Sequence, residues 1–233
     1  VFANLVAETR NEIIHKTVST NMEDKIISAL NFTFENIKSL NEDAHILKEH
    51  SKFGRSYTLF HLCFEECGRF YLLHDYLMDF FNYKIKPRDL NYGQLRKLGY
   101  EKHQPKLTQS LDGMRKFSTV FMMIARSQNN LPNSGTDFEK ELSEIEEKID
   151  DIAESEIELN RLKNVGLYVT YSDNQFHLPD KTITVKQYIN IQKLANLGTE
   201  IIEMMMEFYD SKGGFIGFKN ELRRLLKEKN ENE

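Results

Sequence analysis

In the stretch 53–83, FGRSYTLFHLCFEECGRFYLLHDYLMDFFNY, three residues able to handle protons and anions recur at steps of four: His61, Glu65 and Arg69. At about 100° per residue, i, i+4 steps set imidazole, carboxylate and guanidinium on one stripe of a helix. An imidazole titrates near neutral pH and can serve as acid or base. A carboxylate can orient it, and a guanidinium holds an anion in bidentate fashion. On the same wheel Leu59, Leu62, Cys63, Phe64, Phe70, Tyr71, Leu73, Leu77, Met78, Phe80 and Phe81 fill a continuous apolar arc, placing the stripe on the opposite side. Glu66 and His74 fall inside the arc. The helix carries more ionisable groups than a core strut needs.

The elements that must position this helix are legible from caps and periodicity. NLVAETRNEIIHK reads as a short helix ending near Thr17, and Thr20 with Glu23 forms a capping box that opens a second helix to about His50. Ile26, Ile27, Leu30, Phe34, Ile37, Leu40, Ala44 and Leu47 recur along it at helical spacing. Lys52-Phe53-Gly54 makes a short turn, so this helix and the 53–83 helix are antiparallel neighbours. Pro87 closes the second of them, and KPRDLNYGQLRKLGYEKHQPK is a polar connector with one helical turn. Pro105 suits the first turn of a helix over 105–127, SQNNLPNSG is a loop, and Thr136 with Glu139 opens a helix to about Asn164. Between Asp137 and Glu158 that helix carries eleven acidic residues against two lysines, which reads as a solvated face, a partner surface or a nucleic-acid mimic. NVGLYVTYSDNQFHLPDKTIT suggests a short β-hairpin or extended arm. Thr184 with Gln187 opens a last long helix, Gly213-Gly214 stops it, and Arg223, Arg224, Lys227 and Lys229 sit on a short basic helix.

Composition bounds the reading. With 233 residues, 40% hydrophobic and 29% charged, the chain can bury one core, and residues 1–233 read as a single all-α domain with an extended or hairpin segment near 165–180. No apolar run reaches the roughly 18 residues of a membrane span, and the N-terminal stretch lacks the basic-then-apolar pattern of a secretion signal, so a cytoplasmic protein is expected. Cys63 and Cys67, one turn apart in the apolar arc, read as reduced packing residues. A net charge of −5 argues against a broadly basic surface while leaving room for a local RNA-binding patch.

Three motifs in register carry a resemblance. The run ALNFTFENIKSLNEDAHILKEHSKFGRSYTLFHLCFEECGRF, with Asn36, Asp43-Ala44 and Glu65-Glu66-x-Gly68-Arg69, resembles the abortive-infection protein AbiV family. His103-x-x-Lys106 is similar to that family's His-x-x-Lys, and Asn164-Val-Gly-Leu-Tyr-Val-Thr with Pro179 and Ile183-Thr184 is similar to its glycine, Tyr-Val, Pro, Ile-Thr segment. The likeness spans about residues 29–205. One departure is Arg69, where the family usually has Lys; the charge is kept, but a planar fork replaces a point ammonium. The resemblance implies a HEPN-like antiparallel helical bundle that shuts down growth or translation in phage-infected bacteria. The wider HEPN class includes metal-independent ribonucleases working as homodimers, with a signature of Arg, four to six residues, then His. Arg55 to His61 and Arg69 to His74 both have that spacing, although His74, on the apolar arc, reads as a core histidine.

Metal-free RNA cleavage needs a base for the 2′-hydroxyl, an acid for the leaving oxygen and a cation for the phosphorane. The candidate catalytic set is His61, Glu66, Arg69, His103 and Lys106, with Arg55 and Glu65 as candidate substrate-binding residues. Glu66 reads equally as a buried ion-pair partner of Arg69 or Lys106, and Glu65 as an i, i+4 partner of Arg69. Glu65 and Glu66 diverge by about 100° on a helix, a poor arrangement for a shared metal, so no metal or cofactor is expected. The expected partners are a second copy of the chain, a phage-encoded activator protein, and RNA or the translation machinery as target, with no membrane. The alternative function is a non-catalytic binding module that docks the activator and blocks translation by contact.

Overall fold

The computed structural model describes residues 21–152 and 156–231. Helix α1, Met22–Glu49, is capped by Asn21, whose side chain accepts from the Glu23 N–H at 2.7 Å. Asn21 thus does the work that the sequence assigned to a Thr20–Glu23 box; Thr20 and the expected helix before it lie outside the described residues. After a turn at Ser51 (φ 57) comes α2, Phe53–Phe81. It ends at Asn82, with Tyr83 in the left-handed region (φ 62), some residues before Pro87, which instead opens a single 3-10 turn, Pro87–Asp89. The connector continues through α3, Tyr92–Lys97, to α4, His103–Gln128, with Pro105 in its first turn as expected.

The acidic stretch forms α5, Thr136–Ile152, and α6, Glu156–Val165, on either side of 153–155. Thr136 is the first helical residue rather than a cap: Gly135 (φ 90) precedes it, and the Gly135 carbonyl accepts from the Glu139 N–H. The run is largely solvated, but Arg115 and Arg126 of α4 hold Asp150 and Glu141 at 2.6 and 2.8 Å. The hairpin is present, with β1 Thr170–Ser172 paired antiparallel to β2 Gln175–His177 through a tight turn at Asp173 and Asn174, both at positive φ. A short turn, α7 Pro179–Thr182, leads to α8, Val185–Ser211, which starts with the expected Thr184–Gln187 capping box and stops at Gly213 and Gly214 (φ 78 and 75). The basic tail is a full helix, α9 Gly214–Glu231. The described residues are all-α apart from the hairpin, and no described helix is long and apolar enough to cross a membrane.

Helix α2 is the axis around which the other long helices pack. Contacts running from Ala44–Ser56 to Ile37–Cys63 set α1 antiparallel to it. Contacts from Glu65–His103 to Asp75–Lys116, and from Ser56–Tyr188 to His74–Tyr209, set α4 and α8 parallel to it. Surrounded in this way, α2 is buried on nearly every side. The placement of His61 and Glu65 on a face opposite the core is therefore overturned: they are 0% and 1% exposed. The stripe is a polar seam inside the bundle, because helices pack on both sides of the apolar arc. Cys63 and Cys67 are free thiols within the core, and His74 is the satisfied core histidine expected, bonded to the Tyr209 hydroxyl at 2.6 Å and to Asp75 at 3.2 Å.

Two close backbone approaches hold this assembly in register. A Cβ at Gly68 would lie 1.8 Å from the Lys106 carbonyl oxygen, so only glycine lets α4 sit this near α2. At the N-terminal end of α2, Gly54 faces Gly166, and a Cβ on Gly166 would come within 2.6 Å of the Gly54 carbonyl oxygen. Alanine at a mid-helix glycine ordinarily stabilises by about 0.5–1 kcal/mol. Gly68→Ala is expected to do the opposite, lowering the urea unfolding free energy by about 3 kcal/mol or more because the two helices must separate; stability within about 0.5 kcal/mol of wild type would refute the packing argument.

Candidate functional site

Where α4 crosses α2 at Gly68, the first turn of α4 is carried over Glu65. His103 is the first residue of α4 and Lys106 lies one turn on, so both reach the same carboxylate: His103 Nδ1 is 2.6 Å and Lys106 Nζ 3.4 Å from Glu65 Oε2. The other oxygen faces α6. The Gly54–Gly166 approach and the bond from the Thr58 hydroxyl to the Lys163 carbonyl pin the end of α6, which brings Lys163 Nζ to 3.0 Å from Glu65 Oε1. His61, one turn before Glu65, places Nδ1 3.4 Å from Oε1, out of hydrogen-bonding alignment, and neither of its ring nitrogens has a hydrogen-bond partner among the described residues. Lys106 is 3% and Lys163 8% exposed, whereas the His103 side chain is 59% exposed.

The electrostatics follow from this geometry. Burial by itself pushes the Glu65 carboxyl up, but the hydrogen bond from His103 and the charges of His61 and Lys163 outweigh it and hold the group down at about 2. Burial pulls His61 down to about 4; Glu65 opposes that, while Lys163, His103 and Lys106 add to it. At neutral pH a buried carboxylate thus sits beside a neutral imidazole and two ammonium groups. An ionised carboxylate only accepts, so His103 Nδ1 donates in this bond, and in the neutral form of the ring Nε2 would be the basic nitrogen. An oriented imidazole at the surface, held by a buried acid, is an arrangement suited to moving one proton.

Of the residues singled out in the sequence, His61, Glu65, His103 and Lys106 come together. Glu66 and Arg69 lie beside them as their own pair, Arg69 Nη1 3.2 Å from Glu66 Oε2, with the guanidinium over the Tyr100 ring at 5.2 Å. Glu66 thus adopts the ion-pair reading, with Arg69 rather than Lys106; Lys106 and Glu65 pair with each other, and Glu65 makes no bridge to Arg69. Arg55 stands apart, exposed in the first turn of α2 and about 15 Å along the helix from Glu65. Neither Arg–His spacing presents a histidine to solvent, since His61 and His74 are both buried. Of these, His103 and Arg69 present side-chain surface to solvent, whereas His61, Glu65 and Lys106 are buried. The sequence reading missed Lys163. Its signal was a cation on the face shared by Leu159 and Leu162, both buried, just ahead of the Asn164-Val-Gly166 motif.

A family model described as AbiV, of the HEPN group, matches residues 25–200, well over half of the chain and all of the Glu65 cluster. No curated protein and no solved structure matches the chain.

Two stability measurements test the cluster. Because the native pKa of His61 lies below its ordinary value, its contribution is complete above about pH 6.5 and is lost as pH falls toward 4, on the order of 3 kcal/mol across that window. The Glu65 contribution is lost lower, between about 4.5 and 2. Unfolding free energies at pH 7 and 4.5 should therefore diverge strongly in wild type and less in His61→Leu; equal pH slopes would refute a buried neutral His61. Lys163→Met should cost about 3–5 kcal/mol by leaving the carboxylate short of a partner. Adding Glu65→Gln should recover part of that loss, and strictly additive costs would show that the two groups do not interact.

Proposed function

The chain belongs to the AbiV family of HEPN-like proteins, which supports an abortive-infection, anti-phage role; on that premise we propose that it acts as a metal-independent endoribonuclease centred on His103. The observation that carries this reading is the bond between the buried Glu65 carboxylate and the exposed His103 ring. In this reading His103 Nε2 takes the proton of a ribose 2′-hydroxyl. The resulting alkoxide attacks the adjacent phosphorus, the bond from phosphorus to the 5′-oxygen breaks, and water protonates the departing oxygen. Arg69 offers its guanidinium to the phosphorane oxygens, where charge accumulates. Glu65, with Lys106, Lys163 and His61 around it, acts by position: it holds the ring of His103 without touching RNA. Glu66 positions Arg69. As in other HEPN ribonucleases, the working unit in this reading is a homodimer.

A second reading has one feature in its favour. The hairpin region exposes Tyr168, Val169, Tyr171, Phe176 and Leu178 together, an apolar arm suited to docking a phage-encoded activator protein. In that case the complex would block translation by contact and leave RNA intact.

Sequencing RNA ends through a phage infection separates the two. New ends are expected with wild type and should vanish with His103→Ala, whose thermal melt should remain cooperative because the ring lies at the surface. Glu65→Gln should also reduce cleavage. Protection with no new ends, or undiminished ends with His103→Ala, would overturn the ribonuclease reading.

A further inference from the structure

The connector between α2 and α4 differs in charge from the rest of the chain. Between Lys84 and Lys102 it carries six lysines and arginines against two acids, in a protein whose net charge is −5. It also gathers two aromatic rings just ahead of His103 in the chain. Arg69 lies over Tyr100, Tyr100 meets Tyr92 edge-on with centroids 6.1 Å apart, and both the Tyr92 hydroxyl and Arg96 Nε, the latter at 2.9 Å, bond to Glu101. Tyr92, Arg96 and Lys102 are all exposed. Lys102 lines a shallow, open depression with His103, Gln104, Pro105 and Thr108. The edge-on pair Tyr92 and Tyr100, with Arg69 over the latter, and the cations Arg96 and Lys102 thus lie on the segment that leads into His103.

We propose that the face formed by Tyr92, Arg96 and Lys102 binds the single-stranded RNA that flanks the phosphate presented to His103. This inference rests on the ribonuclease reading. Tyr92 offers a ring face on which an unpaired base can stack, and Arg96 and Lys102 sit where the adjoining phosphates would pass. In duplex RNA the bases are stacked on one another and closed to such a ring. Glu101 has a restraining part: it spaces Tyr92 and Arg96 but also offsets the charge of this segment.

The test is equilibrium binding of a fluorescent, uncleavable 2′-O-methyl single strand to the full chain, across a salt series, alongside cleavage of the matching unmodified strand. Tyr92→Ala should weaken binding about tenfold. Arg96→Gln with Lys102→Gln should lower the log–log salt slope by about 1.4, at about 0.7 per phosphate contact. Glu101→Gln should tighten binding severalfold, an effect opposite in sign to any loss of fold. Wild-type cleavage with unchanged binding in all these variants, or a preference for duplex over single strand, would overturn this surface while leaving the ribonuclease reading intact. Wild type that neither binds nor cleaves would overturn both.

Discussion

The bundle is arranged around one buried carboxylate. Removing the Glu65 charge from water costs several kcal/mol even after relaxation, and that cost is met only if cations and hydrogen-bond donors arrive with good geometry. Here they arrive from two other helices: His103 and Lys106 from the start of α4, and Lys163 from the end of α6. Glu65 therefore fixes the place of α4 and α6 as much as it depends on them. A slip of either helix by one residue would strand a charge in the interior, which penalises alternative packings heavily.

Glycine makes that convergence geometrically possible. Lys106 is short of reach unless α4 lies nearly in backbone contact with α2, and the missing Cβ of Gly68 opens that space directly beneath it. The Gly54–Gly166 contact does the same for α6 and so for Lys163. The Glu65-Glu66-x-Gly68-Arg69 pattern then has a physical content: an acid to be buried, a second acid to hold the arginine, a notch that admits the helix bearing the counter-charges, and a cation near the surface. The Asn164-Val-Gly166 pattern has a parallel content for α6.

A charge arrangement that stabilises the interior also prepares the surface. Glu65 is saturated on its inner side by groups that do not reach solvent, and on its outer side by His103, which does. The internal partners keep the carboxylate ionised far below neutral pH, so it can only accept and His103 Nδ1 is the donor to it. Glu66 and Arg69 extend the same seam outward to Tyr100 and the basic connector. The candidate site is thus the outer end of a structural network.

Much of this was legible in the chain itself. The helices, the Thr184–Gln187 cap, the hairpin with its Asp-Asn turn and the stop at Gly213-Gly214 are local matters, fixed by periodicity of about 3.6, by side chains that satisfy free backbone groups and by residues that tolerate positive φ. The pairing of α1 with α2 follows from their short connection, and the motifs singled out His61, Glu65, His103 and Lys106, which the fold brings together. What the sequence left open depended on burial and on distant partners. A helical wheel separates an apolar arc from a polar stripe but does not show that helices cover both, so His61 and Glu65 were placed outside when they lie inside. Nor does it show that Lys163, almost a hundred residues from Glu65, closes the cluster. Local chemistry writes caps, turns and helical faces into the sequence; which charges meet is decided by backbones that approach closely in three dimensions, where glycine permits contact and a buried carboxylate requires partners.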